Sequence, residues 1–252
     1  MFGKRILVLV PHPDDEVVAC AAAIWRAQAA GAGIFALYLT HGCIEMNTLW
    51  PWQRGKYKDI VARRIEEGEE AARFLEIAPV GWCMRPARHL WRELPKALGE
   101  IESAVAENAI DQVWLPAYEG GNPDHDGLNA LGQILKKKVG VLEFAEYNFS
   151  GGKTNAQSFP FPNGTEQVIS LTPYEQEKKR EALALYASEK SNLNYVGAEH
   201  ECYRPLADYD YGKPPHPGTL FYARFQWVPF RHPRVDFTKS AEVSAAITSF
   251  LK

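Results

Sequence analysis

An uninterrupted apolar run, Ile6-Leu7-Val8-Leu9-Val10, stops abruptly at Pro11-His12-Pro13-Asp14-Asp15-Glu16. A strand that is apolar at every position, rather than at alternate ones, needs cover on both faces, so it belongs inside a parallel sheet flanked by helices. It ends in an imidazole and three carboxylates where a helix must begin. A structural loop gains little from so much negative charge beside a histidine, whereas a metal ion would hold those charges in place. A second segment of the same kind, Asn122-Pro123-Asp124-His125-Asp126, follows another strand-like run, Gln112–Leu115. Together the two segments point to a metal-dependent hydrolase.

Strand and helix signals alternate through the first half of the chain. Helices are expected over Val17–Ala30, Arg63–Leu75, Leu94–Glu107 and Gly127–Val139, the last with Lys136, Lys137 and Lys138 in its final turn. Strands are expected over Ile6–Val10, Ile34–Leu39, Val80–Met84, Gln112–Leu115 and Leu142–Tyr147. This order predicts an α/β fold, a Rossmann-like, doubly wound, mostly parallel sheet. Both acidic-histidine segments follow strands that are neighbours at the switch point of such a sheet, where ligands bind. Beyond residue 150 the character changes. Gly151 to Gly164 reads as a surface loop, and Thr172-Pro173-Tyr174-Glu175 is a capping box that starts a helix to about Glu189. Tyr203 to Phe230 reads as an irregular, aromatic-rich C-terminal cap over the sheet edge. One domain over 1–252 is expected, with a core at 1–150 and the helix and cap at 151–252.

His12 and Asp15 are spaced to face one point, and His125 on the neighbouring loop supplies a third donor. Two imidazoles and one carboxylate suit one catalytic zinc per chain, with a position left open for water. Such a water has a pKa near ~7, and Asp14, beside a ligand but pointing elsewhere, is placed to take its proton. Glu16 and Asp124 read as groups that orient the ligands or cap helices. Taken singly, Asp14 or Asp15 reads equally well as a helix N-cap. His41, after the second strand, is a candidate lining residue of the same cleft, although a plain loop role suits it too. His89, His200, His216 and His232 lie outside any ligand spacing. Arg64 and Glu67 fit an i,i+3 helix pair.

The net charge of −3 gives no reason to expect nucleic acid or an anionic membrane as partner. No apolar run reaches the length of a membrane span, and the N-terminal one is too short for a signal-peptide core. A cytoplasmic location is the default expectation, and a homo-oligomer stays open. The four cysteines show no Cys-x-x-Cys spacing, which argues against a thiolate zinc site. There is no Gly-x-Ser-x-Gly, no His-Glu-x-x-His, no phosphate loop and no Gly-x-Gly-x-x-Gly after the first strand.

Pro11–Glu16 after a first strand, with Pro123-Asp124-His125 after a later one, resembles the PIG-L/LmbE-like family of zinc-dependent N-deacetylases. Thr40-x-Gly42 is similar to that family's turn after the second strand, and Arg64-x-x-Glu67-x-x-x-Ala71-x-x-x-Leu75 to its Arg/Glu helix. Lys179 to Ala182, Tyr186 and Ser188 resemble a later segment of the family, with Glu189 where Gln is usual. The resemblance implies His12, Asp15 and His125 as zinc ligands, Asp14 as general base and Arg64 as a substrate contact. It also implies an acetamido-sugar substrate, commonly an N-acetylglucosamine conjugate, cleaved to free amine and acetate. Asn122 departs from the family, which usually has histidine there to stabilise the oxyanion or protonate the amine. Asparagine keeps the donor and loses the acid, so Asn122 is a catalytic candidate for the first role, with Asp14 returning the proton. Competing readings are a zinc hydrolase of another amide, such as a thiol-sugar conjugate, or of a phosphoester, and a metal-binding member whose catalysis was lost with that histidine.

Overall fold

The computed structural model describes residues 2–252. The first half runs β1 (Arg5–Val10), α1 (Asp15–Ala29), β2 (Gly33–Tyr38), α2 (Pro51–Arg54), α3 (Tyr57–Phe74), β3 (Ala78–Trp82), α4 (Leu94–Glu107) and β4 (Gln112–Pro116). It continues with α5 (Pro123–Leu135), β5 (Gly140–Phe144), β6 (Tyr147–Asn148), β7 (Asn155–Ala156), β8 (Gln167–Ser170), α6 (Pro173–Leu185), β9 (His200–Pro205) and α7 (Ser240–Leu251). The main sheet has seven strands in the order β3-β2-β1-β4-β5-β9-β8. The first five are parallel, and β9 and β8 are antiparallel to their neighbours. β1 and β4 pair directly, so the chain reverses its winding direction between them and opens a crevice beyond their carboxyl ends.

The unbroken apolar character of β1 follows from what covers it. Ile6, Val8 and Val10 pack into a core with Val17, Ile24, Leu75, Ala182 and Tyr186, from α1, α6 and the residues that follow α3 and α6. Leu7 and Leu9 pack on the other face with Leu94, Ile101, Leu128, Leu131, Val243 and Ile247, from α4, α5 and α7. Alternate residues of one strand therefore serve two separate cores. At ~1.5–3 kcal/mol for each fully buried aliphatic side chain, β1 is the axis of the fold.

The structure alters several boundaries. α5 starts at Pro123, not Gly127, because Asn122 caps it and proline suits the first helical position. His125 thus lies in the first turn of a helix rather than on a loop. The same helix ends at Leu135, which leaves Lys136, Lys137 and Lys138 beyond its last turn. β5 ends at Phe144; Tyr147 instead pairs with Ala156 in a separate two-stranded ribbon, β6 with β7. The expected cap begins inside the sheet, since Tyr203 belongs to β9, whose Arg204 is placed opposite Glu143 of β5 and donates to it at 2.6 Å. α7 was not among the expected helices; its Val243 and Ile247 close the second core.

β9 also fixes α1. Glu201 accepts from the backbone N–H groups of Ala22 and Ala23 at 3.0 Å each and from Lys179 Nζ at 2.8 Å, all three residues being buried. Tyr203 donates to the carbonyl of Ala19 at 2.6 Å. The helix that carries the first acidic motif is therefore anchored by hydrogen bonds on its inner face, not by apolar contact alone.

Candidate metal centre and its cavity

The turn between β1 and α1 delivers two groups to one point. Asp15 Oδ2 accepts from the backbone N–H of His12 at 2.8 Å, which closes the turn and aims both side chains the same way. His125, from the first turn of α5, joins them across the switch point. His12 Nδ1 lies 3.2 Å from His125 Nε2 and 3.4 Å from Asp15 Oδ2, and the third edge, His125 Nε2 to Asp15 Oδ2, is 3.3 Å. Zinc held tetrahedrally at ~2.0–2.1 Å from each donor requires donors about 3.3–3.4 Å apart, so the triangle fits the ion. The electrostatics agree. Burial resists a charge on His12, yet Asp124 and Asp15 override it and push its pKa up to about 10. Burial likewise opposes charge on Asp15, but His125 and His12 hold it far below the usual carboxylate range. The carboxylates call for positive charge at the centre of the triangle.

Each imidazole has a carboxylate behind it. His12 Nε2 meets Asp124 Oδ2 at 3.2 Å, and that carboxylate is fixed by the backbone N–H of Arg88 at 2.5 Å. His125 Nδ1 lies 3.6 Å from Glu146 Oε2; both atoms are buried and, among the described residues, neither has a hydrogen-bond partner, so a small shift would join them. Asp124 was expected in this supporting position. Glu146 was not, because the strand was read as running to Tyr147, which hid a carboxylate just past a strand's carboxyl end. Strand ends at the switch point were the signal that would have found it.

Asp14 stands outside the triangle. It occupies the N-cap position of α1 at φ 144°, ψ −27°, but its side chain makes no capping bond. Positive φ at a non-glycine residue costs roughly 1–3 kcal/mol and is tolerated where the surroundings impose it. Here Arg64 Nη2 donates to Asp14 Oδ2 at 2.6 Å, and Glu16 Oε2 accepts from the Asp14 N–H at 3.1 Å. Glu16 is itself held by the Tyr186 hydroxyl. Burial raises Asp14 well above the usual carboxylate range, with Arg64 pulling the other way. Gly42 completes this corner: at φ +73° any Cβ would stand 2.8 Å from Arg64 Nε and 2.9 Å from Pro13 Cδ.

Asn122 lines the same cavity, with Oδ1 accepting from the Asp124 N–H at 2.9 Å as the cap of α5. That bond orients the amide and leaves Nδ2 as its donor, with the Tyr147 hydroxyl within its reach. His41 does not join the cavity wall: it is buried, its Nδ1 accepts from the Cys43 N–H at 3.2 Å, and its neighbours Gly42 and Cys43 line the space instead. None of His89, His200, His216 and His232 belongs to the donor triangle. The cavity measures about 820 Å³ and its lining includes His12, Asp14, Asp15 and Asn122 together with Tyr147, Tyr195, Phe221 and Arg224.

A Rossmann-type sheet with a buried His-Asp-His triangle at its switch point defines a deacetylase-like fold with a candidate metal site. The chain belongs to the PIG-L family, described as GlcNAc-PI de-N-acetylase, whose pattern matches residues 7–135. Comparison with curated protein sequences gives no match. Among solved structures, the deacetylase of the teicoplanin biosynthesis pathway, in a complex with bog, is similar with a TM-score of 0.65 at 20% identity, over 82% of this chain and 99% of that one. N,N'-diacetylchitobiose deacetylase from Pyrococcus horikoshii gives 0.56 at 17% identity over 84% of each chain. GalB, the 4-carboxy-2-hydroxymuconate hydratase from Pseudomonas putida KT2440, gives 0.54 at 15% identity over 82% of this chain and 98% of that one. At these identities the likeness is one of fold, and the fold serves more than one reaction.

Proposed function

We propose that this chain is a zinc-dependent hydrolase that removes an N-acetyl group from an amino-sugar conjugate of the N-acetylglucosamine type. The observation that carries the reading is the division between adjacent carboxylates: Asp15 lies in the donor triangle, and Asp14 lies outside it on the cavity wall, gripped by Arg64. Zinc held by His12, Asp15 and His125 would supply an acidified water and polarise an acyl carbonyl. Asp14 then takes a proton through Oδ1, since Oδ2 is committed to Arg64, and returns it to the departing amine. Burial suits it to hold that proton in between. Asn122, with Oδ1 occupied by the helix cap, donates through Nδ2 to the carbonyl oxygen as negative charge develops there. Arg64 serves the substrate indirectly, by fixing Asp14.

The cavity volume lies in the upper part of the ~300–1,000 Å³ range of ligand sites, which favours a sugar conjugate over a free monosaccharide. The family match and the deacetylases among the structural relatives support amide hydrolysis. Acetate release from a panel of N-acetylated sugars and their conjugates tests the reading. Release that needs zinc, stops on chelation and is lost in Asp14→Asn supports it. A protein that binds zinc yet releases no acetate from any of them would instead favour a metal-binding member retired by Asn122.

A further inference from the structure

Six arginines are not exposed: Arg26, Arg64, Arg85, Arg88, Arg204 and Arg224. Five of them have a carboxylate within 4 Å: Glu175 for Arg26, Asp14 for Arg64, Glu93 and Glu100 for Arg85, Asp236 for Arg88, and Glu143 and Glu166 for Arg204. Among the described residues Arg224 has none, and it faces the cavity that holds the donor triangle. A partly desolvated guanidinium without a counter-charge is costly to keep, and this fold otherwise pairs every such group.

Arg224 is also held in place. Its Nη1 donates to the Phe221 carbonyl at 2.6 Å, and its guanidinium carbon lies 3.4 Å from the centre of the Phe221 ring and 4.4 Å from that of Phe225. Ring contacts place it relative to the chemistry. His125 touches Tyr147 with centroids 5.9 Å apart, Tyr147 touches Phe221 at 4.6 Å, and Arg224 lies on Phe221. The guanidinium is therefore linked to the triangle through two aromatic rings, Tyr147 and Phe221, and lies on the aromatic part of the cavity lining. Burial pulls the Arg224 pKa below its usual value, as expected where positive charge is not compensated. Arg234, exposed in the lining of the same cavity, also has no carboxylate within 4 Å among the described residues.

We infer that Arg224 is the anion subsite of this cavity, taking a carboxylate or phosphate carried by the aglycone of an amino-sugar conjugate. The inference rests on the reading of the cavity as an amide-hydrolase site. The planar fork of arginine matches either anion in bidentate fashion, and the flanking rings give an apolar bed for the part of the aglycone that carries it.

Matched aryl N-acetylglucosaminides test it, bearing a para-carboxylate, a para-phosphate or, as the neutral isostere, a para-carboxamide. With the zinc-loaded wild-type protein, kcat/KM for one of the anionic compounds should exceed that of the carboxamide at least tenfold, and the better anion identifies which group the site takes. Arg224→Gln should bring the ratio close to one, and Arg224→Lys should keep part of it; the ratio cancels any general loss of folding or activity. Dissociation constants of the corresponding deacetylated aryl glucosaminides, measured by calorimetry, give the same ratio without turnover. If no acetylated compound is cleaved but the binding ratio is present and is lost in Arg224→Gln, amide hydrolysis fails and the anion subsite stands. A wild-type ratio near one, or a ratio unchanged in Arg224→Gln, overturns the subsite.

Discussion

Arg64 Nη2 donates to Asp14 Oδ2 at 2.6 Å across 50 residues of chain, with both side chains buried. The bond decides which carboxylate oxygen is left to face the cavity and holds Asp14 in a backbone conformation it would not choose alone. Asp14→Asn should lower kcat by ~10²–10⁴ while leaving bound zinc at one per chain. Arg64→Lys, which keeps the charge but loses the planar fork, should lower kcat by less, and the double variant should lose no more than Asp14→Asn alone. Losses that simply multiply would mean the two residues act independently.

Asn122 carries two separable tasks, capping α5 and facing the cavity with its amide donor. Asn122→Ser keeps an acceptor for the cap, so thermal stability should change by only a few tenths of a kcal/mol. Turnover should fall by about 10²–10³ if the donor acts on a developing oxyanion. Equal turnover in the serine variant would confine Asn122 to capping.

Glu146 sits 3.6 Å behind His125, and among the described residues its Oε2 has no hydrogen-bond partner. A carboxylate in that position fixes the ring and tautomer of a histidine ligand. Glu146→Gln should weaken zinc binding by ~10–100-fold in competition with a chelator, before any assay of activity. Unchanged affinity would show that the two groups never close their gap.

Gly42 is wedged between Arg64 and Pro13 at φ +73°. Gly42→Ala should destabilise the protein by about 1–2 kcal/mol from strain and displaced neighbours, and should lower kcat more than KM because Arg64 is what moves. Urea unfolding and steady-state kinetics read the two effects separately.

Far from the site, Glu175 links helix capping to an ion pair: it accepts from Thr172 N–H at 2.7 Å and from Arg26 Nε at 2.9 Å. The Arg26 hydrogen bonds, with help from Thr172 and against burial, lower its pKa from 4.5 to about 2. A carboxylate depressed on folding stabilises fully above its unfolded pKa, and that stability is lost as pH falls from about 4.5 through about 2. Glu175→Gln should therefore cost about 1 kcal/mol at pH 7, allowing for screening at the half-exposed Arg26, and should flatten the acid limb of the stability curve. Identical acid limbs in the two proteins would refute the linkage.

The donor triangle was legible in the sequence because its causes are local. A strand apolar at every position announces two covered faces, and a strand followed at once by histidine and carboxylates announces a ligand at its carboxyl end. Two such strands in a β-α-β order leave one place where their ends can meet, and β1 and β4 do pair there. Asp124 behind His12 followed from the same short-range logic. Other features depend on which faces meet across long stretches of chain. Arg64 read as an i,i+3 partner of Glu67 and, by resemblance, as a substrate contact; Glu67 does lie 3.9 Å from it, but only the fold brought it onto Asp14 as well, and Glu146 was hidden by a strand end misplaced by three residues. The antiparallel insertion of β9 rests on Glu143 meeting Arg204, 61 residues apart, and the grip on α1 rests on Glu201, about 180 residues from the amides it accepts. Periodicity and capping record burial and neighbouring hydrogen bonds, and so they specify elements and their ends. Partners for a buried charge are set by desolvation, which acts only once the chain has closed around it, so the tertiary structure alone decided which arginines meet a carboxylate and that, among the described residues, Arg224 meets none.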